Sequence, residues 1–274
     1  MTGFRLLLRA RWRRDAVQLT IWIAGALLLA ASAVVGVRGT FPDEADRATL
    51  LATAVANPVV LLFRGLPSGT DEAAFTAFLI LPFVALLAAL MSTFLAVRHT
   101  RGDEDAGRAE LIAATPAART VPLSATVVHG ILANIVLGAL VTTTYVAIGF
   151  AASGSILMGA ASALTGIAFL GVGLVAAQLA ASARTANAIG VWAVLLSYLA
   201  CGLGNALGTP SGDLQRMTSA PLAWVSPFGW AENTRPYDSD AAGRLIPFAG
   251  LIVVALALAF VLSGARDVGG ALLP

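Results

Sequence analysis

The residues best suited to chemistry lie in one short run, Val97–Pro122, "VRHTRGDEDAGRAELIAATPAARTVP". Nine of its side chains ionise: Arg98, His99, Arg101, Asp103, Glu104, Asp105, Arg108, Glu110 and Arg119. Their spacing is that of ion pairing on a short helix. Arg101–Asp105 and Glu104–Arg108 stand four residues apart, so each pair shares a helix face. Asp103, Glu104 and Asp105 would sit in the first turn, where the helix dipole favours acids. Thr100 is the expected cap, with Asp103 as the acidic half of a capping box. Leu111 and Ile112 give the helix an apolar edge, and Pro116 should stop it near Ala114. Pro122 suits the first turn of the element that follows.

Two readings of the run compete. It is a solvated loop obeying the arginine asymmetry of membrane proteins, or a docking element that keys into a partner. The asymmetry counts Lys and Arg and does not call for three consecutive acids.

Other candidates are sparse. Cys201 is the single cysteine, so no intrachain disulfide and no cysteine metal cluster can form. Its position in an apolar run suits a small hydrophobe. The two histidines, His99 and His129, are too few for a histidine-based metal site without a partner chain, and no metal site is expected. All 17 basic residues are arginine. A P-loop needs a Lys for the β- and γ-phosphates. This chain has none, so no ATP hydrolysis by that route is expected of it; it is read as a transport subunit, not an enzyme.

The elements that must position these residues are apolar. Of 274 residues, 58% are hydrophobic and 12% charged, against about 25% charged in soluble domains. Mean hydropathy is +0.85. The predicted fold is all-α and polytopic, with six membrane spans: about Leu19–Val37, Phe75–Val97, Val121–Phe150, Ile156–Ala181, Ala186–Leu207 and Leu245–Leu262. Each is long enough to cross a hydrocarbon core of about 30 Å. The first apolar run exceeds the length of a signal peptide's core, so it is read as a retained span.

Arginine counts in the loops set the orientation. One side carries eleven, including Arg5, Arg9, Arg11, Arg13 and Arg14, and the other carries six. Both termini and the 97–122 run are therefore expected in the cytoplasm, with residues 38–74 and 208–244 outside. Residues 1–18 read as a cytoplasmic interfacial helix. Arg5, Arg9 and Arg13 share one face, suited to an anionic leaflet. Residues 19–274 form the membrane domain. The lysine-free, Ala- and Gly-rich composition fits a high-GC bacterial genome, hence a bacterial inner membrane.

The predicted spans contain no Asp, Glu or Arg. Ion-coupled transporters usually place such residues in the membrane, which disfavours a cation-coupled antiporter. His129 falls about 12 Å into the third span and reads as an interhelical hydrogen bond. Asn134, Thr142, Tyr145, Gln178 and Asn205 could line a largely apolar substrate pathway, or could join helices. Pro221, Pro227 and Pro236 punctuate the 208–244 loop, and Trp224, Phe228 and Trp230 within it could anchor the interface or, as the family resemblance below implies, form a lid.

Three segments carry a family resemblance. "RGDEDAGRAELIAATPAAR" (101–119), "WVSPFGWAENTRPY" (224–237) and "SGARDVGGALLP" (263–274) resemble ABC-2-type exporter permeases, in particular the polyketide-antibiotic exporter group. The resemblance implies a six-helix exporter domain and a coupling helix about 103–114. Asp103, Glu104, Asp105, Gly107, Arg108 and Glu110 would engage a dimer of ABC ATP-binding subunits. ATP and Mg would be bound by that partner, with no cofactor on this chain. It further implies that Met1–Val17 is an elbow helix and that Ser219–Arg235 forms short re-entrant helices over the exit path. Members of the group are about twice as long, with two six-span halves. This chain would be one half that dimerises, or a fragment of a duplicated permease. The expected function is ATP-driven export of hydrophobic or amphipathic compounds such as antibiotics. The alternative is an ATP-independent membrane scaffold or regulatory subunit. No nucleic acid partner is expected.

Overall fold

A computed structural model describes residues 2–113 and 120–265. The chain is a helical bundle: α1 (Thr2–Thr40), α2 (Glu44–Val55), α3 (Pro58–Phe63), α4 (Glu72–Arg98), α5 (Arg101–Asp105), α6 (Arg108–Ala113), α7 (Val121–Ile148), α8 (Ala152–Leu179) and α9 (Ala183–Ala206). There follow a two-stranded ribbon, β1 (Thr209–Pro210) and β2 (Met217–Thr218), then α10 (Pro227–Glu232) and α11 (Ile246–Ala265). Six helices are long and apolar enough to span a membrane, as the hydropathy pattern predicts. The protein is a multi-pass membrane protein.

Burial sorts the six. In α4 and α8, 72% and 78% of the most apolar stretch is buried, against 17% in α11. Helices α4 and α8 are thus the central pair, and the other four surround them with faces free to meet lipid. Small residues allow this closeness. A methyl group at Gly138 of α7 would stand 2.7 Å from the Gly159 carbonyl oxygen and 2.9 Å from Ala163 Cβ in α8.

The predicted division at residue 18 is not marked by any break. Helix α1 runs unbroken for 39 residues, about 58 Å at 1.5 Å per residue. Its buried positions, Arg11, Asp15, Leu19, Ile23, Ala26, Ala30, Val34 and Val37, recur every three or four residues on one face. That face packs on α4 and α7. Arg5, Arg9 and Arg13 point away and are exposed.

Two helices too short to span a membrane, α2 and α3, form within residues 38–74. Helix α3 is announced by Asn57–Pro58, with Asn57 Oδ1 accepting from Val59 N. Arg47 of α2 secures the segment by donating to three main-chain carbonyls: Thr70 at 2.7 Å, Phe41 at 2.9 Å and Pro42 at 2.8 Å. Asp71 caps α4 by accepting from Ala73 N at 2.9 Å and Ala74 N at 3.4 Å.

The expected single coupling helix is two. Gly107 has φ +68, in the left-handed region that glycine enters without a Cβ clash, and it separates α5 from α6. The capping box does not form. Thr100 Oγ1 donates to Ala96 O at 2.6 Å and caps nothing. Ala114, Pro116, Arg119 and the C-terminal 266–274 segment lie outside the described residues.

Candidate functional site

The site assembles at the end of the bundle where α1, α4, α5 and α7 meet. Asp15 is its centre, 2% exposed. Its Oδ2 takes hydrogen bonds from His99 Nε2 and from His129 Nε2, the latter at 2.9 Å. Its Oδ1 lies 3.2 Å from Arg98 Nε. Both imidazoles are fully enclosed, 2% and 0% exposed. His129 also meets the edge of Trp12, with ring centroids 4.8 Å apart. So His129 bridges helices, as its sequence position suggested, but its partner is an acid that the predicted first span excluded.

Asp103 forms a second centre, 6% exposed. Arg14 of α1 donates to its Oδ1 at 2.8 Å, as does Arg108 of α6. His99 Nδ1 faces its Oδ2 at 3.8 Å. Histidine 99 therefore stands between the two acids. Arg11 closes the layer below, 3% exposed, donating to Pro122 O at 2.8 Å and to His99 O at 3.4 Å. The result is a charged layer that ties the first helix, α5 and the start of α7 to the end of α4.

The other predicted coupling residues radiate from this layer. Arg101, 1% exposed, donates to Glu104 at 2.7 Å. Asp105 Oδ2 accepts from Ala183 N at 2.7 Å, so it holds the first turn of α9. Arg108 also reaches Gly102 O at 3.2 Å. Glu110 and Leu111 are exposed. The spacing rule anticipated Arg101–Asp105, which the structure places at 3.9 Å, and did not anticipate Arg108–Asp103. The turn at Gly107 redirects Arg108.

The predicted pathway residues are not gathered around one space. Asn134 Nδ2 donates to Ser92 Oγ at 2.8 Å and to Gly130 O at 2.9 Å. Thr142 Oγ1 donates to Ser155 O at 3.2 Å, and Tyr145 stacks on Phe150 with centroids 5.8 Å apart. Gln178 is buried in α8. Asn134 and Thr142 thus join helices α7 to α4 and α8. A cleft of about 430 Å³ lies elsewhere, among Arg38, Asp71, Glu72, Phe150, Tyr237 and Asp238.

Asn205 belongs to the opposite end. Its Nδ2 donates to Glu232 Oε2 at 2.6 Å, and its Oδ1 accepts from Ser219 Oγ at 3.0 Å. Glu232 is 5% exposed, and no ion pair reaches it among the described residues. Burial pushes its carboxyl up to about 7 from 4.5; hydrogen bonds from Asn205, Cys201 and the Leu66 main chain only partly oppose that. The three residues predicted for a lid lie in the same loop region. Phe228 fills the space between Phe169 and Tyr198, at 5.5 and 5.3 Å. Trp230 Nε1 donates to Trp224 O at 2.7 Å, and its ring meets Phe248 at 5.2 Å. Pro221–Val225 forms a 3-10 turn ahead of α10, so the loop does carry two short helical pieces.

Sequence reasoning missed Arg11, Asp15 and Glu232 because each lies outside the predicted spans. A signal existed for the first two. Arg11 and Asp15 continue the spacing of Leu19, Ile23 and Ala26, so one face of α1 was legible beyond the apolar run.

No protein-family model matches the chain. It is 32% identical over 273 residues to a multidrug efflux system permease protein of Mycobacterium tuberculosis. The match covers 99% of this chain and 48% of that protein, so the chain spans about half the length of the relative. The similarity runs along the length of this chain, which carries six helices long and apolar enough to span a membrane.

Proposed function

We propose that this chain is a membrane-spanning half of an ATP-driven ABC-2-type exporter that moves hydrophobic or amphipathic compounds out of the cell. A separate ATP-binding subunit docks on α5 and α6 at the cytoplasmic face. A second six-helix half completes the pathway, and the ATP and Mg belong to the docked subunit.

The observation that carries this reading is the double anchorage of Asp103. It receives Arg108 from the exposed α6 side and Arg14 from the first span. A force applied to α5 and α6 therefore has a short ionic route to α1 and, through His99 and Asp15, to α7. Glu110 and Leu111 stand exposed for a partner. The test is substrate efflux from vesicles holding the chain with its co-purified ATPase. Export should require ATP and stop with a catalytically dead ATPase. Export unchanged by the dead ATPase refutes the reading.

Glu232 favours a second reading, proton-coupled export. It is a buried carboxyl whose affinity for a proton burial raises to about 7, so it exchanges a proton near neutral pH. Such groups mark proton routes in transporters. Efflux driven by an imposed pH gradient without ATP would select this reading over the first.

A further inference from the structure

We propose that Asp15, His99 and His129 form a binding site for a divalent transition ion of the Zn2+ type, stapling the first helix to α4 and α7. The donor atoms, one carboxylate oxygen and two imidazole nitrogens, all lie within 4.8 Å of one another. They come from three separate segments: the fourth turn of α1, the residue after α4, and the third turn of α7. Two His and one carboxylate are a donor set that Zn2+ accepts with three protein ligands, leaving a position for solvent oxygen. Imidazole with carboxylate suits Zn2+ better than the hard ions Ca2+ and Mg2+, which take oxygen ligands.

The surroundings add what an ion site needs beyond its ligands. A ligating His normally turns its other ring N–H to a carboxylate or carbonyl. His99 Nδ1 already faces Asp103 Oδ2 at 3.8 Å, and a small rotation would close that bond. Ligating carboxylates are likewise held through their other oxygen. Asp15 Oδ1 faces Arg98 Nε at 3.2 Å as an ion pair without a hydrogen bond, leaving Oδ2 as the ligand.

Both Nδ1 atoms are buried without a hydrogen bond. That is the expected state when each Nε2 carries a proton and donates to the same carboxylate oxygen. Binding needs no net loss of protons: each imidazole stays neutral, its ring proton passing from Nε2 to Nδ1 by way of solvent, which frees Nε2 for the ion. The His99 proton then faces Asp103. Two guanidiniums stand close, and neither contacts the proposed ligand atoms Oδ2 and Nε2. Arg11 is turned to the Pro122 and His99 carbonyls, and Arg98 to Oδ1 and Gln18.

The sequence makes the test clean, because His99 and His129 are the only histidines. The full chain, purified on a tag without histidine, is incubated with Zn2+ alone, and bound metal is counted by mass spectrometry. Co2+ is added separately and read by its visible absorption. One Zn2+ per chain is expected. The Co2+ spectrum should be intense and free of thiolate charge transfer, since Cys201 lies away from this site. His129→Gln and His99→Gln should each weaken uptake at least 10-fold, and Asp103→Asn, as a positioning change, should weaken it about 10-fold. Failure of the wild-type chain to take up stoichiometric Zn2+ or Co2+ overturns the proposal without reference to any variant. So does uptake that persists in the doubly substituted chain.

Discussion

Arg14 in the first helix and Arg108 in the sixth donate to the same oxygen of Asp103, each at 2.8 Å. Two cations 94 positions apart in sequence thus share one carboxylate that is 6% exposed. That relation fixes α6 relative to α1 more firmly than the chain connection through Gly107 does, because the glycine turn by itself leaves α6 free to reorient.

Asp103→Asn keeps the shape and removes the charge. Arg14 and Arg108 are partly exposed, so each retains access to water. The stability cost should be about 1–3 kcal/mol, read as a lower melting temperature in detergent. Substrate-stimulated ATPase activity of the assembled transporter should fall by a much larger factor than melting alone explains. Equal losses in Asp103→Asn and in a surface variant of matched stability would separate Asp103 from coupling.

Glu110→Arg with Leu111→Glu alters two exposed residues whose side chains support no described contact of the bundle. Membrane insertion and melting should be unchanged. Co-purification of the ATPase should drop at least 10-fold, measured by quantitative pull-down. Undiminished recovery would take the docking face away from α6.

Gly138→Val places a branched side chain where even a methyl would sit 2.7 Å from a backbone oxygen of α8. Backbone cannot give way cheaply, so a loss of about 1–3 kcal/mol or more is expected from overpacking. Gly250→Ala, in open space on α11, should instead be neutral or gain about 0.5–1 kcal/mol of helix propensity. Thermal unfolding of the pair checks whether α7 and α8 touch at that level.

Glu232 gives the protein a pH-dependent stability. Its folded pKa of about 7 lies above the 4.5 of the free side chain. Below about 4.5 both states hold the proton and the contribution is fully present. As pH rises toward 7 the unfolded chain ionises first, and stability is lost, levelling off above the folded value. The span corresponds to about 3 kcal/mol at 1.36 kcal/mol per unit. Glu232→Gln should abolish this slope. Wild type and variant are compared by melting at pH 5 and pH 8. A difference between them that does not change with pH rules out a buried proton at this carboxyl.

The six spans were legible because hydropathy reports what must meet lipid, and the ends of α4 and α7 matched closely: Glu72–Arg98 against Phe75–Val97, and Val121–Ile148 against Val121–Phe150. The helical character of 101–113 was legible from its charge spacing. Its break was not, because a glycine in a polar run reads equally as turn or helix until its neighbours are placed. The burial of Glu232, and the acid partner that Asp15 gives both histidines, were hidden for a different reason. A carboxylate outside an apolar run looks solvated, and only tertiary packing by α4, α7 and α9 removes the water. Asn134 and Asn205 looked alike in sequence. One joins α7 to α4 through Ser92, and the other donates to an acid in the loop.

The uninterrupted course of α1 joins two distant places. About a third of the way along, it carries Arg14 and Asp15, both set in the charged layer. Near its C-terminal end, Arg38 pairs with Glu72 at 2.6 Å and lies over the Phe150 ring, on the rim of the 430 Å³ cleft. Some 24 residues of helix separate them, about 35 Å of rod. An α-helix resists compression along its axis far better than a loop does. A displacement imposed at Asp103 would therefore reach the cleft as a piston stroke, arriving at the far side of the bilayer with little of it absorbed on the way.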